Sequence, residues 1–171
     1  MRILGRFGVL PELMKFVNLL ESVSLRRWDD NALIGAVPLM PQIGAKYNAP
    51  VGVIHRGDLQ QVLLEAAIKE GCEIRTDHKV IKCDDNFEPR VQLKAGDWIE
   101  GDLVIAADGI KSGIRRQIAT LHKHTDETTP TGDAAYRILI PKEKIQHNEE
   151  ALKLLKTNVG MRWMGELNPI Q

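Results

Sequence analysis

Three arginines and one Asp-Gly turn are the residues of this chain best placed to do chemistry. The densest group is Asp108-Gly109-Ile110-Lys111-Ser112-Gly113-Ile114-Arg115, which follows the apolar run Leu103-Val104-Ile105-Ala106-Ala107. Five consecutive apolar residues predict a strand buried on both faces, and Asp-Gly ends it in a turn. Ser112 then caps a helix, while Gly109 lets the backbone bend sharply and come close to a ligand. A corner of this kind offers hydrogen-bond donors to an anionic group. Arg56, in His55-Arg56-Gly57-Asp58-Leu59, is predicted just ahead of a helix N-terminus, where amides and macrodipole already favour anions and its guanidinium adds a fork of donors. Arg137 sits in an alternating stretch that places Tyr136, Ile138 and Ile140 on one face and Arg137 with Leu139 on the other, so one face must be wet or occupied. Taken singly, the same residues also fit a plain strand, turn and capped helix, a solvated helix entry and a half-exposed strand arginine.

These side chains need a scaffold of alternating helices and strands. The apolar stripe Val9, Leu10, Leu13, Phe16, Val17 and Leu20 predicts a helix beginning near Pro11. Residues 22–40 alternate around the Asp29-Asp30-Asn31 turn and read as a hairpin, and residues 38–50, with their prolines and Gly44, read as a loop. The clearest helix carries Leu59, Val62, Leu63, Ala66 and Ala67, with Asp58 as N-cap and Gly71 as C-cap. Short strands at 73–76, 79–83, 90–93 and 98–100 form a meander that feeds the 103–107 strand, and Ser112 opens a helix that runs out near Leu121. Residues 122–131 are polar and aperiodic, which marks a domain crossing; beyond them come a strand at 135–140, a helix at 149–156 and a strand at 159–164.

Composition narrows the function classes. With 171 residues and 43% apolar content the chain is long enough for a real core and globular in type. The 23 basic and 23 acidic residues cancel without forming blocks, which argues against a nucleic-acid surface. No apolar run approaches the roughly 20 residues of a bilayer span, and the start lacks a signal-peptide core, so no membrane span and a cytoplasmic location are expected. Cys72 and Cys83 form no CxxC pair, and His122 and His124 diverge on a helix, so no metal site is expected.

The strand-DG-xx-S-xx-R pattern resembles the second signature segment of the single-component FAD-dependent aromatic monooxygenases, the salicylate hydroxylase-like enzymes, in their fungal branch. His55-Arg56-Gly57-Asp58-Leu59 is similar to that branch's H-R-x-D-L segment, and the two occur in the family's order. Leu25-Arg26-Arg27-Trp28, Tyr47-Asn48-Ala49-Pro50 and Gly132-Asp133-Ala134-Ala135-Tyr136-Arg137 extend the resemblance over nearly the whole chain. It implies an α/β fold: a partial FAD-binding domain of glutathione-reductase type with a β-meander at 1–121, a crossing at 122–131, and the start of a β-sheet substrate domain at 132–171. It also implies cofactor contacts from Arg56, Val80, Asp108, Gly109, Ser112 and Arg115, with Val80 on the adenine side, and a catalytic place for Arg137 beside a phenolic or aromatic acid substrate. FAD is then the cofactor and NAD(P)H its reductant, with Asp108 and Arg115 also affecting the nicotinamide-dependent step.

Two family segments have no counterpart here. A dinucleotide site of this type uses G-x-G-x-x-G between the first strand and helix, and Gly5-Arg6-Phe7-Gly8 has the wrong spacing. The later G-D-A-A-H-like loop is also missing, because Gly132-Asp133-Ala134-Ala135 stands before Tyr136-Arg137 and so belongs to the substrate segment. The expectation is an internal portion of a monooxygenase, with FAD binding and activity weakened or lost in isolation. The alternative is a non-catalytic interaction or decoy protein keeping part of a flavoprotein fold. A third reading is a halogenase or reductase of the same superfamily. Oligomeric state is left open.

Overall fold

The computed structural model describes residues 1–126 and 128–165. The chain divides into two compact units, residues 1–72 with 139–171, and residues 73–138.

The first unit opens with two single-turn helices, α1 (Arg2–Arg6) and α2 (Leu10–Met14), the second with a proline in its first turn. The predicted longer helix stops at Met14 because the chain turns at Lys15 and Phe16 and then pairs. Strand β1 (Asn18–Leu19) runs beside a later strand, with Asn18 opposite Val53 and Leu19 opposite Gly52. A Cβ at Gly52 would stand 2.5 Å from Val17 Cγ1 and 2.7 Å from the Asn18 carbonyl oxygen, so this close approach requires glycine. Strands β2 (Ser22–Arg27) and β3 (Leu33–Pro38) form the expected antiparallel hairpin, with a bulge between Leu25 and Arg26. Its tip places Asn31 in the left-handed region, and the Asp30 carboxylate accepts from the Ala32 amide at 2.9 Å.

The predicted 38–50 loop instead contains a helix, α3 (Gln42–Tyr47). Pro41 sits ahead of the first helical residue, where no amide is needed, and left-handed Asn48 ends the helix. After β4 (Gly52–Val53) comes α4 (Arg56–Lys69), whose cap differs from the reading above. His55 is the N-cap and makes no side-chain cap bond, Asp58 lies inside the first turn, and Glu70 is the C-cap with Gly71 following at φ +87°. Asp58 therefore acts on the helix dipole instead of on a free amide. Val62 of α4 packs with Val9 and Leu13 to form the buried core of this unit, flanked by Leu4, Ile54, Leu59 and Ala66.

The second unit holds the expected meander. Strands β5 (Val80–Cys83), β6 (Arg90–Leu93) and β7 (Trp98–Glu100) pair antiparallel in that order. Residues 73–76 are not a strand, and the chain there is instead tied locally by Arg75 on Glu73 at 2.7 Å. Asp84, almost fully buried, closes the β5–β6 turn by accepting from Arg90 Nη2 at 2.6 Å and from the Asn86 amide at 2.8 Å. Those donors hold its carboxyl below the usual aspartate range, the Asn86 amide contributing most.

Two predicted strands fail here. Residues 103–107 pair with no strand among the described residues, and Leu103 and Ile105 are 75% and 80% exposed. Residues 135–140 likewise have no ladder, and Tyr136 is almost wholly exposed. A strand exists only through its neighbours' hydrogen bonds, and apolar sequence alone cannot supply them. Helix α5 (Gly113–Leu121) follows as expected and places Ile114 in the core of this unit with Cys83 and Leu93.

Past residue 138 the chain returns to the first unit through α6 (Lys142–Ile145) and α7 (Glu149–Leu154), the latter capped by Asn148 Oδ1 accepting from the Ala151 amide at 2.9 Å. Strand β8 (Val159–Met164) then lies parallel to β2, giving the order β3-β2-β8. Asn31 Oδ1 accepts from Trp163 Nε1 at 2.9 Å and so ties the hairpin tip to β8. The architecture is α/β, with an antiparallel meander in one unit and a mixed three-stranded sheet in the other. No helix among the described residues is long and apolar enough to cross a membrane.

Candidate functional site

The 108–115 corner folds around one carboxylate. Asp108 Oδ1 accepts from Ser112 Oγ at 2.6 Å, and Oδ2 accepts from the Gly113 amide at 2.9 Å and, weakly, from Ile114 at 3.5 Å. Ser112 is buried, and its Oγ accepts in turn from the Arg115 amide at 2.9 Å. One serine therefore both caps α5 and orients the aspartate. The Ser112 hydroxyl first, then the helix amides, hold the Asp108 carboxyl below its usual range against the opposing effect of desolvation.

This geometry changes the expected use of the helix N-terminus. The amides that were to meet an external anion already serve Asp108. What remains open is the backbone at Gly109: φ is +82°, Ser112 N donates to its carbonyl at 3.0 Å, and a Cβ built there would meet nothing within 4 Å. A glycine in that conformation with empty space above it lets a ligand approach the main chain itself.

Arg115 stitches the corner shut. Its Nη2 donates to the Ile110 carbonyl at 2.6 Å and its Nη1 reaches the Gly109 carbonyl at 3.4 Å. Its Nε donates to both oxygens of Asp126, at 2.9 and 3.0 Å. The Asp126 carboxylate raises the guanidinium pKa above its already high ordinary value, so its charge is permanent.

Two hollows adjoin the corner within the 73–138 unit. A recess of about 280 Å³ is lined by Ala106, Asp108, Gly109, Ser112, Arg115 and Ile118. A mainly apolar groove of about 440 Å³ is lined by Val80, Val91, Ile99, Ile105, Asp108 and Ile114 among others. Sizes of this order suit part of a cofactor with an apolar ring and a polar tail.

Asp108, Gly109, Ser112 and Arg115 thus meet in one corner, and Val80 shares a groove with Asp108. Arg56 is the first residue of α4, in the other unit, and its exposed guanidinium has no hydrogen-bond partner among the described residues. Arg137 is exposed on the irregular 133–140 segment, so the predicted two-faced strand that would aim it is not formed.

Sequence reasoning missed two residues. Asp126 lies in an aperiodic polar segment eleven positions from Arg115, and no local spacing rule links them. Gln117 had a readable signal, since it stands on the apolar face of α5 with Ile114, Ile118 and Leu121. Its amide does the work of a neighbouring strand: Oε1 accepts from the Cys83 amide at 3.0 Å, while Nε2 donates to the Cys83 carbonyl at 2.9 Å and to Asp85 at 2.8 Å.

Known proteins match this chain in sequence and in fold. The model of the FAD binding domain family matches residues 20–157. The FAD-dependent monooxygenase ntnJ of Nectria sp. is 37% identical over 147 residues, covering 85% of this chain and 33% of that protein. The 3-hydroxybenzoate 6-hydroxylase 1 of Aquipseudomonas alcaligenes is 32% identical over 136 residues, covering 78% of this chain and 32% of that protein. Among solved structures, HpxO of Klebsiella pneumoniae complexed with FAD and uric acid has a TM-score of 0.55 at 22% identity, over 67% of this chain and 29% of that one, a likeness of fold. The chain thus spans about a third of the length of the curated relatives it matches. A meander leading into an Asp-Gly corner, a serine-capped helix behind it and this family match agree, and the chain belongs to the FAD binding domain family.

Proposed function

We propose that this chain supplies part of the FAD cradle and of the substrate face of an NAD(P)H-dependent monooxygenase that hydroxylates a phenolic or aromatic acid in the cytoplasm. The observation that carries this reading is the open backbone at Gly109, held at φ +82° by Asp108, Ser112 and Arg115, beside the groove shared by Val80 and Asp108. The open main chain beside an apolar wall fits a dinucleotide, since its phosphates could approach the backbone at Gly109 while the wall receives a ring. Val80 would line that wall, and Arg56, exposed at the first residue of α4 in the other unit, is proposed separately as a cationic cofactor contact. The division into a cofactor portion at 1–121, a crossing at 122–131 and a substrate portion at 132–171 is part of the same proposal.

FAD held there would supply monooxygenase chemistry, in which two electrons from NAD(P)H and dioxygen would give one oxygen atom to the substrate ring and the other to water. Arg137 would pair with the substrate's phenolate or carboxylate and stabilise negative charge growing on the ring. The aromatic-acid class is supported by the likeness to a 3-hydroxybenzoate hydroxylase. A second reading, a non-catalytic interaction protein, draws on the exposed apolar side chains of Leu103 and Ile105.

The test is to purify the chain with FAD present and pass it through gel filtration. Weak flavin binding, with little or no NADH or NADPH oxidation stimulated by a hydroxybenzoate, is the expected result, because the chain carries only part of the cradle. Absence of any flavin binding in a titration at saturating FAD, from a folded monomer, would refute the cofactor assignment.

A further inference from the structure

We propose that Asp126 is a positioning residue of the cofactor corner, acting through Arg115 to hold the Gly109–Ile110 turn in the shape a dinucleotide would meet. The proposal rests on the FAD reading above and adds to it a residue with no signature of its own. Arg115 spends its two Nη groups on the carbonyls of Ile110 and Gly109, at 2.6 and 3.4 Å, which leaves the Nε edge to fix the angle of the plane. Both oxygens of Asp126 accept from that edge. The aspartate side chain is only 17% exposed whereas that of Arg115 is 45% exposed, so the better-covered partner anchors the freer one. A long side chain loses rotamer freedom when it is held, and two backbone bonds, one of them long at 3.4 Å, are a weak restraint on a half-exposed arginine.

The turn itself has little else to keep it in place. Gly109 has open space above it, and its remaining tie is the Ser112 amide on its carbonyl. Two acids face Arg115: Asp126 in direct contact and Asp108 through charge, the latter already committed to Ser112 and the α5 amides. Releasing Asp126 therefore frees the guanidinium without a substitute close by. Asp126 also lies in the 122–131 segment that leads to Tyr136 and Arg137, so the same ion pair ties the corner to the chain approaching the proposed substrate residue.

The experiment reads the apo chain first, by nitrogen-15 NMR. In the parent protein the Arg115 Nε–H should exchange slowly with solvent at neutral pH, as a hydrogen-bonded guanidinium does. Asp126→Asn should speed that exchange, and that of the Ile110 to Ser112 amides, by about tenfold, with an unchanged melting temperature. Asp126→Glu should restore both, and Arg115→Lys, which keeps the charge but loses the fork, should loosen the same amides as Asp126→Asn does. Unchanged exchange at Arg115 Nε and at 110–112 in Asp126→Asn would overturn the positioning role. FAD titration then follows on the same proteins: Asp126→Asn should raise the dissociation constant about threefold to tenfold, and equal affinities would overturn the link to the cofactor. A parent that binds no FAD would defeat the cofactor reading, while the exchange data would still decide whether Asp126 positions Arg115.

Discussion

At the scale of single residues, the carboxylate of Asp108 organises the corner because three donors from the following helix converge on it. Removing the Ser112 hydroxyl takes away both a cap and the strongest of those donors. Ser112→Ala should cost about 1–2 kcal/mol in chemical denaturation and should raise the Asp108 pKa toward its ordinary value. The sign with pH follows from the depressed carboxyls of Asp108 and Asp84. Their contribution is present above an aspartate's ordinary 3.8 and is lost as pH falls through the lower folded values, since the unfolded chain then binds more protons. Stability measured from pH 6 downward should therefore fall steeply only below about pH 4, and less steeply in Ser112→Ala. A profile already declining between pH 6 and pH 5 would point to other groups. Residue types and spacing in the sequence pointed to this corner. They did not reveal that the aspartate consumes the helix amides, because that depends on where a flexible carboxylate comes to rest.

Among the elements, those with a local cause were readable and those with a distant cause were not. Helix α4 announces itself by periodicity, α5 by its serine cap, and the β2–β3 hairpin by alternation around Asp29-Asp30-Asn31. Helix α3 was hidden by prolines that prove compatible with its ends and by a glycine, Gly44, that it tolerates in its interior. Strands at 103–107 and 135–140 were predicted from apolar content, which records a preference for burial and not the presence of a partner. The α2–α4 packing centres on Leu13, the most buried large side chain, at 1% exposure. Leu13→Ala should destabilise the chain by about 2–5 kcal/mol, read as a lowered midpoint in urea. A cost within experimental error would mean that α2 is not docked on α4 in solution.

For the whole molecule, two units with separate cores carry between them long stretches that lack ladder hydrogen bonds, at 102–108 and 131–140. Such backbone is the first to be cut by a protease of broad specificity. Limited proteolysis followed by mass spectrometry should give early nicks in both stretches, and FAD should protect 102–108 more than 131–140. First cuts inside α4 or the β5–β6–β7 meander would contradict this distribution of order. The sequence by itself determined the α/β class, the family, the meander and the residues of the Asp-Gly corner, because caps, turns and periodicities act over a few positions. Only the tertiary structure decided that Asp108 fills its own helix N-terminus, that Gln117 substitutes for a strand beside Cys83, that β8 joins β2, and that Asp126 holds Arg115. Each of these joins groups five or more positions apart through flexible side chains or strand pairing, and such contacts are set by how the chain packs instead of by any short-range preference.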